Sequence, residues 1–385
     1  MNIKILDSWL REFLTTKASP AEIAKDMSLG SISIERIEKY KEDFVYDIEV
    51  TTNRPDLASV TGLAREAAAL LPEFGIAATY NPPKLQDSIT TPQNEKVAIT
   101  IHNDPSIVNR ICAVIMDVTV SESPAFLKER LETSDIRSLN NLIDITNYVM
   151  RTIGHPSHVF DFDRLNTKSL SIRKAKKGET ITTLDKKQHV LAGGDIVAEN
   201  DKGEIVDLLG IMGLENSVVT DKTKRILFFL DNNDPIQMRK TSMQLGIRSE
   251  AVQLNEKGID PQLAMDALLY GISLYEKYAK GKVVSEIIDI YPNKPEEKTI
   301  SVSEDKINTV IGVPVPLEKA KKILEGLGFA VSMKDTAITV SVPSFRVLEV
   351  AGEEDIIEEI ARVYGYHNLP SVLPPVTSAE ITPLG

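Results

Sequence analysis

RSLNNLIDITNYVMRTIGHPSHVFDFDR, residues 137–164, is the stretch on which the reading of the chain turns. Leu142, Ile145 and Val149 recur at helical spacing, and Tyr148 and Met150 widen the apolar stripe, which predicts a helix. Gly154 and Pro156 should end it, one by permitting positive φ and the other by refusing to continue the ladder. His158 then falls on irregular backbone between apolar neighbours, a position that suits a polar group presented into a pocket. A histidine beside aromatics is equally at home as a satisfied structural residue. His155 and His158 lie three apart without a cysteine or third histidine nearby, so the spacing does not make a zinc site.

Upstream, Asp7 is expected to cap a helix from Ser8, and Ser19-Pro20-Ala21-Glu22 is a helix start. ISIERI (32–37) and VYDIEV (45–50) alternate as strands. Asn53-Arg54-Pro55-Asp56 reads as a turn or as part of an interface, and a helix opens at Ser59 or Thr61. Downstream, NRICAVIMDV (109–118) is a buried strand, followed after the central helix by short strands between glycine turns. Gly210 and Gly213 of GIMGLENS allow close backbone approach, but no Gly-Lys-Ser/Thr follows to make a phosphate loop. Helices should begin at Asp234-Pro235 and Asp260-Pro261. Beyond PNKPEE (292–297), two short helices and a two-stranded wing are similar to a winged-helix module, and a last helix covers 353–362.

The expected fold class is α+β and multidomain: a mixed α/β unit at 1–83, an α+β unit at 95–290, a winged-helix-like unit at 297–370, and a linker at 371–385. Another linker is expected across 81–94. For 385 residues this is an ordinary domain count. A net charge of −12 argues against a free-standing nonspecific nucleic-acid binder, and a single cysteine, Cys112, excludes an intrachain disulfide and suits a reducing cytoplasm. No membrane is implied, since no apolar run approaches the roughly 18 residues of a span.

Together VTTNRPDLASVTGLAREAAAL, NNLIDITNYVM…GHPSHVFDFDRL, GIMGLENSVVT, GIRSEAVQLNEKGIDP and VPSFR…EEDIIEEIARVYGYHNLP resemble the β subunit of bacterial phenylalanyl-tRNA synthetase. The resemblance implies a B1-like N-terminal domain, a B3/B4 editing-type domain and a B5 domain. No inserted oligonucleotide-binding-fold module fits after Tyr40, and the family's catalytic-like and anticodon-binding domains lie beyond the matching stretches. It further implies an α₂β₂ assembly with the α subunit, where catalysis resides, and the use of ATP, Mg²⁺ and tRNA(Phe) in a cytoplasmic enzyme.

In the family the B3/B4 pocket deacylates tRNA mischarged with tyrosine, because an apolar pocket cannot strongly reject an added hydroxyl. Carried onto this sequence, the pocket histidine is His158 and the glycine turn is Gly210 and Gly213. The threonine and alanine positions become Ser249 and Ala251, and a further glycine becomes Leu214. The glutamate that reads the tyrosine hydroxyl falls on Phe229, which cannot accept a hydrogen bond. The expectation is a hollow between two sheets lined by 158, 213 and 229, with editing weakened or lost; if it persists, His158 and Ser249 position the attacking water. A non-catalytic RNA- or protein-binding adaptor is the alternative.

Asp355, Glu358 and Glu359 stand at i, i+3, i+4 and share one helix face. They read as a solvated face with acids near a helix N-terminus, or as ligands for a hard cation. The resemblance implies the second, a Mg²⁺ shared with the α subunit, and Glu349 is the nearest candidate for the upstream ligand.

Overall fold

The structure, a computed structural model, describes residues 1–86 and 97–372. Most of the expected linkers at 81–94 and 371–385 lies outside the described residues. Near the N-terminus, strands Asn2–Leu6, Asp43–Glu49 and Ser33–Tyr40 form an antiparallel sheet in that order. Ser19 and Glu22 make a reciprocal capping box for helix Pro20–Gly30, and Ser59 caps Val60–Leu70. Asp7 does not cap. Its carboxylate instead takes Arg11 Nε and the Tyr46 hydroxyl, each at 2.6 Å, and its helix is only Asp7–Leu10.

The middle of the chain builds two five-stranded sheets. One runs Met212–Gly213, Ile205–Leu208, Ile196–Asn200, Ser169–Lys174 and Thr100–His102, parallel only in its last pair. The other places Val108–Asp117 beside Arg225–Asn233, with His158–Asp161 beyond it, and Lys282–Val283 and Ile288–Ile290 on the far side of Val108–Asp117. The continuous apolar run of residues 111–116 has a two-sided explanation. Ile111, Ala113 and Ile115, with Leu227, Phe229 and Phe160, pack into the core shared with the first sheet. Cys112, Val114 and Met116, with Ile226, Phe228 and Leu230, pack into the core shared with helices Asn141–Ile153 and Leu263–Tyr278. The second helix approaches so closely that a Cβ on Gly271 would lie 2.4 Å from Phe228 Cε1. Asn140 caps the first helix, and Gly154, at φ 94°, ends it.

The C-terminal unit has helices Glu304–Ile311, Leu317–Gly326 and Glu353–Tyr364. The sequence predicts a strand at 300–302 beside the two-stranded wing; Thr299–Ser303 pairs with Ala337–Ser341 on the side away from Ala330–Lys334, so the two form one three-stranded sheet. One apolar core runs from Ile5 and Trp9 through Val149 and Leu268 to Ile323 and Ile360, joining all three stretches of sequence.

A buried ionic network ties the two ends of the chain together. Glu66 accepts hydrogen bonds from Ser31 Oγ (2.5 Å), Arg54 Nη2 (3.0 Å) and Arg362. Arg362 also meets Glu359 (2.5 Å), which meets Arg346 (2.7 Å). The neighbouring arginines hold Glu66 well below the usual carboxylate range in spite of its burial. Arg54 and Asp56 therefore belong to an internal interface as well as to a turn.

Candidate functional site

The site is built from the edge strand His158–Asp161 laid antiparallel on Arg225–Asn233, so that His158 stands directly opposite Phe229. His158 is therefore in a strand, not on the irregular backbone expected after Pro156. Strand alternation sends His158 and Phe160 to the same side, and their rings meet edge to face at 4.4 Å; Phe160 meets Phe229 in the same manner at 5.7 Å.

Gly213 closes the arrangement. A Cβ added there would lie 2.7 Å from His158 Cε1 and 3.2 Å from Leu184 Cδ1, so only glycine lets the imidazole settle on this backbone. Gly210, at φ 68°, is needed both for its left-handed backbone and for space: a Cβ would lie 2.6 Å from Asn233 Nδ2. The turn between the two glycines is held from below, Asn255 Nδ2 donating to Gly210 O at 2.8 Å and Ser249 Oγ to Ile211 O at 2.5 Å.

Three of the expected site residues thus meet: His158, Gly213 and Phe229. They do not surround an open hollow. Phe229 is fully buried, and aromatic rings occupy the space among the three. A cavity of about 400 Å³ lies instead where Asn53, Asn109, Asn232, Lys257, Phe345 and Leu348 converge. Ser249 does not aim a free hydroxyl at His158: its proton goes to Ile211 O, and its oxygen caps helix Glu250–Asn255 through Val252 N at 3.2 Å. Ala251, half-buried, packs against the larger core rather than the one between the sheets.

A residue that the sequence reading passed over completes the group. Asp207 pairs across the hairpin with Gly213, and its Oδ1 stands 3.9 Å from His158 Nε2. Both atoms are enclosed and have no hydrogen-bond partner. Burial, aided by the charge of Asp231, raises the Asp207 carboxyl well above its ordinary range. Burial pushes His158 down to about 4, leaving a neutral imidazole. Behind them Asp231 is raised by burial to about 6, against the hydrogen bond from Asn233. The sequence did carry a signal here, one acid inside the apolar run IVDLLGIM.

The four carboxylates expected to hold Mg²⁺ do not converge. Glu359 is buried and bridged by Arg346 and Arg362. Asp355 caps its own helix, taking Ala351 N at 2.6 Å and Gly352 N at 2.8 Å. Glu349 is engaged by Arg346 Nε at 2.8 Å and Asn53 Nδ2 at 2.7 Å. Glu358 alone is fully exposed. Ile356, Ile357 and Ile360 set the buried face of the helix and carry Glu359 inward with them. Among the described residues no three His, Cys, Asp or Glu side chains gather as a metal-binding group.

Residues 108–280 match the family described as B3/4 domain, and residues 300–366 match the tRNA synthetase B5 domain. The phenylalanine–tRNA ligase β subunit of Clostridium acetobutylicum is 36% identical over 328 residues, covering 85% of this chain and 40% of that protein. The one from Staphylococcus epidermidis is 36% identical over 357 residues, covering 92% and 44%. This chain therefore spans less than half the length of these relatives. Among solved structures, an N-terminal fragment of the phenylalanyl-tRNA synthetase β subunit from Pyrococcus horikoshii aligns with a TM-score of 0.54 at 16% identity, covering 95% of this chain and all of the fragment, a likeness of fold.

Proposed function

We propose that this chain, which carries the B3/4 and B5 domains of the phenylalanine–tRNA ligase β subunit, serves that enzyme as scaffold and subunit contact and bears a blunted proofreading site. The observation that carries the reading is the similarity to named β subunits over 85% to 92% of the chain. Attachment of phenylalanine to tRNA(Phe) with ATP belongs to the assembled enzyme, with the reacting groups on the α subunit. ATP and Mg²⁺ enter there, since Glu359 is engaged by arginines and Asp355 by backbone amides.

The packed state of the B3/4 core supports weak proofreading. Phe229 puts an apolar ring where a hydroxyl would need an acceptor, and the Ser249 hydroxyl is committed to backbone. Two measurements test this. The chain should co-purify with the α subunit when the two are co-expressed, and failure to associate would overturn the scaffold assignment. The assembled enzyme should hydrolyse tyrosyl-tRNA(Phe) at least about tenfold more slowly than a homologue with glutamate at the position of Phe229, the loss expected of one hydrogen bond to a charged group. Equal turnover would overturn the proofreading half of the reading alone.

A further inference from the structure

The cavity of about 400 Å³ shares no lining residue with the His158 group. Its volume falls within the roughly 300–1,000 Å³ of small-molecule sites. It opens where the three stretches of the chain meet: Asn53 reaches it from the N-terminal turn, Asn232 and Lys257 from the middle, and Phe345, Val347 and Leu348 from the C-terminal unit. Leu348 lies across the bare backbone of Gly258, where a Cβ would stand 2.8 Å from its Cδ1, and is otherwise 78% exposed at the rim. Lys257 is half-buried and makes no hydrogen bond or ion pair among the described residues. The carboxylates beside it in sequence and in the cavity wall are already taken. Glu256 is held by Arg248 at 2.5 and 2.9 Å and by Arg239 at 3.3 Å. Asp260 accepts from Ser344 Oγ at 2.6 Å and from Gln262 N at 2.8 Å, and Glu349 is engaged by Arg346 and Asn53. Burial, with Arg248 and Arg239 adding to it, lowers the Lys257 ammonium from its ordinary value. A partly desolvated cation without a counter-ion favours an incoming anion.

We propose that this junction cavity binds a small organic monocarboxylate with an apolar body, its carboxylate on Lys257 Nζ and its body against Phe345, Val347 and Leu348. One unpaired ammonium matches one negative charge. A dianion such as phosphate is disfavoured, because Asp260 and Glu349 stand in the same wall and repel the second charge. The apolar side chains of the C-terminal unit give the body of the ligand its contact, and an occupant seated there touches all three stretches of the chain at once. Binding of this kind stabilises the folded junction by mass action, in addition to the ionic network around Glu66. The site is separate from proofreading and from attachment of phenylalanine.

Benzoate is the probe, benzamide its neutral isostere, and inorganic phosphate the anion without an apolar body, each titrated calorimetrically into the full 385-residue chain. Benzoate should bind in the millimolar range and at least about tenfold more tightly than either control, the worth of one hydrogen bond to a charged group. It should also shield Lys257 from an amine-acylating reagent, read by peptide mass spectrometry, while exposed Lys222 stays reactive. Lys257→Met should bring benzoate down to the level of benzamide without lowering the urea midpoint, since no ion pair is lost. Leu348→Asp, at the exposed rim, should weaken benzoate by a similar factor, through lost apolar contact and an added like charge. No benzoate binding, equal binding of benzamide or phosphate, or an unchanged affinity in Lys257→Met would each overturn the assignment. Equal shielding of Lys257 and Lys222 would mark an adventitious additive only and overturn it as well.

Discussion

Glu66→Gln removes one charge and no heavy atom from the network that joins the two ends of the chain. Three buried guanidiniums, Arg54, Arg346 and Arg362, face three buried carboxylates, Asp56, Glu66 and Glu359. The variant leaves three buried cations against two buried anions, with Arg65 and Glu349 at the partly exposed edge of the network. Removing one partner of a buried pair costs roughly 3–5 kcal/mol, most of it the penalty of the charge left behind. The lower end applies here, since Asp56 still holds Arg54 and Glu359 still holds Arg362. Glu73→Gln is the matched control: its partner is Lys319, at 2.9 Å, and it spans the same two regions, but with both side chains partly in solvent. Its expected cost is about 0–1 kcal/mol. Trp9, the one tryptophan, is buried and stacked on Tyr148 at 4.7 Å, so its fluorescence follows the packing of the N-terminal strands on the central helix during urea unfolding. A Glu66→Gln loss below about 1 kcal/mol, or one equal to that of Glu73→Gln, would show that the network does not hold the ends together.

Gly213→Ala brings a Cβ to 2.7 Å from His158 and should cost about 1–3 kcal/mol in the same urea assay while changing the environment of the His158 ring protons by NMR; unaltered shifts would contradict the packing described. Acid sensitivity has opposed sources, of which His155 and Asp231 are one each. Burial pushes fully buried His155 down to about 4, so the unfolded chain takes up the proton first; this contribution is complete above pH 6.5 and is lost toward pH 4, by about 3 kcal/mol. Asp231, raised to about 6, is protonated first in the folded chain; its contribution is complete below its unfolded value of 3.8 and is lost as pH rises through 6. Asp231→Asn should therefore steepen the fall of the urea midpoint between pH 6.5 and 4, and parallel profiles for variant and wild type would refute the opposition. Cys112, which burial pushes up to about 12, should resist a disulfide reagent in the folded chain and react only in urea.

The elements whose cause is local were legible in the sequence. Capping by Ser19, termination at Gly154 and the two-sided run 111–116 follow from side-chain chemistry within a few residues. What the sequence hid depends on partners far away. The first strand of the C-terminal sheet is readable at 300–302, but its neighbour, almost forty residues on, is not. Asp7 looked like a helix cap until Tyr46 and Arg11 were brought to it. His158 looked like a loop residue because nothing in GHPSHVF announces that Arg225–Asn233 will pair with it.

Both expected sites are arranged differently from the sequence reading, for a related reason. Spacing places carboxylates 355, 358 and 359 on one side of a helix, but the isoleucines beside them decide which side is buried, and Glu359 goes in with them to meet arginines from other segments. At the B3/4 site the change runs the other way. An apolar residue at 229 removes a polar group from one strand, while an acid at 207 supplies one from the opposite sheet, and only the tertiary fold brings the two positions to the same imidazole. Register in one hairpin and strand pairing in the other sheet, neither of them written in a local motif, are what set Asp207 and Phe229 on either side of His158.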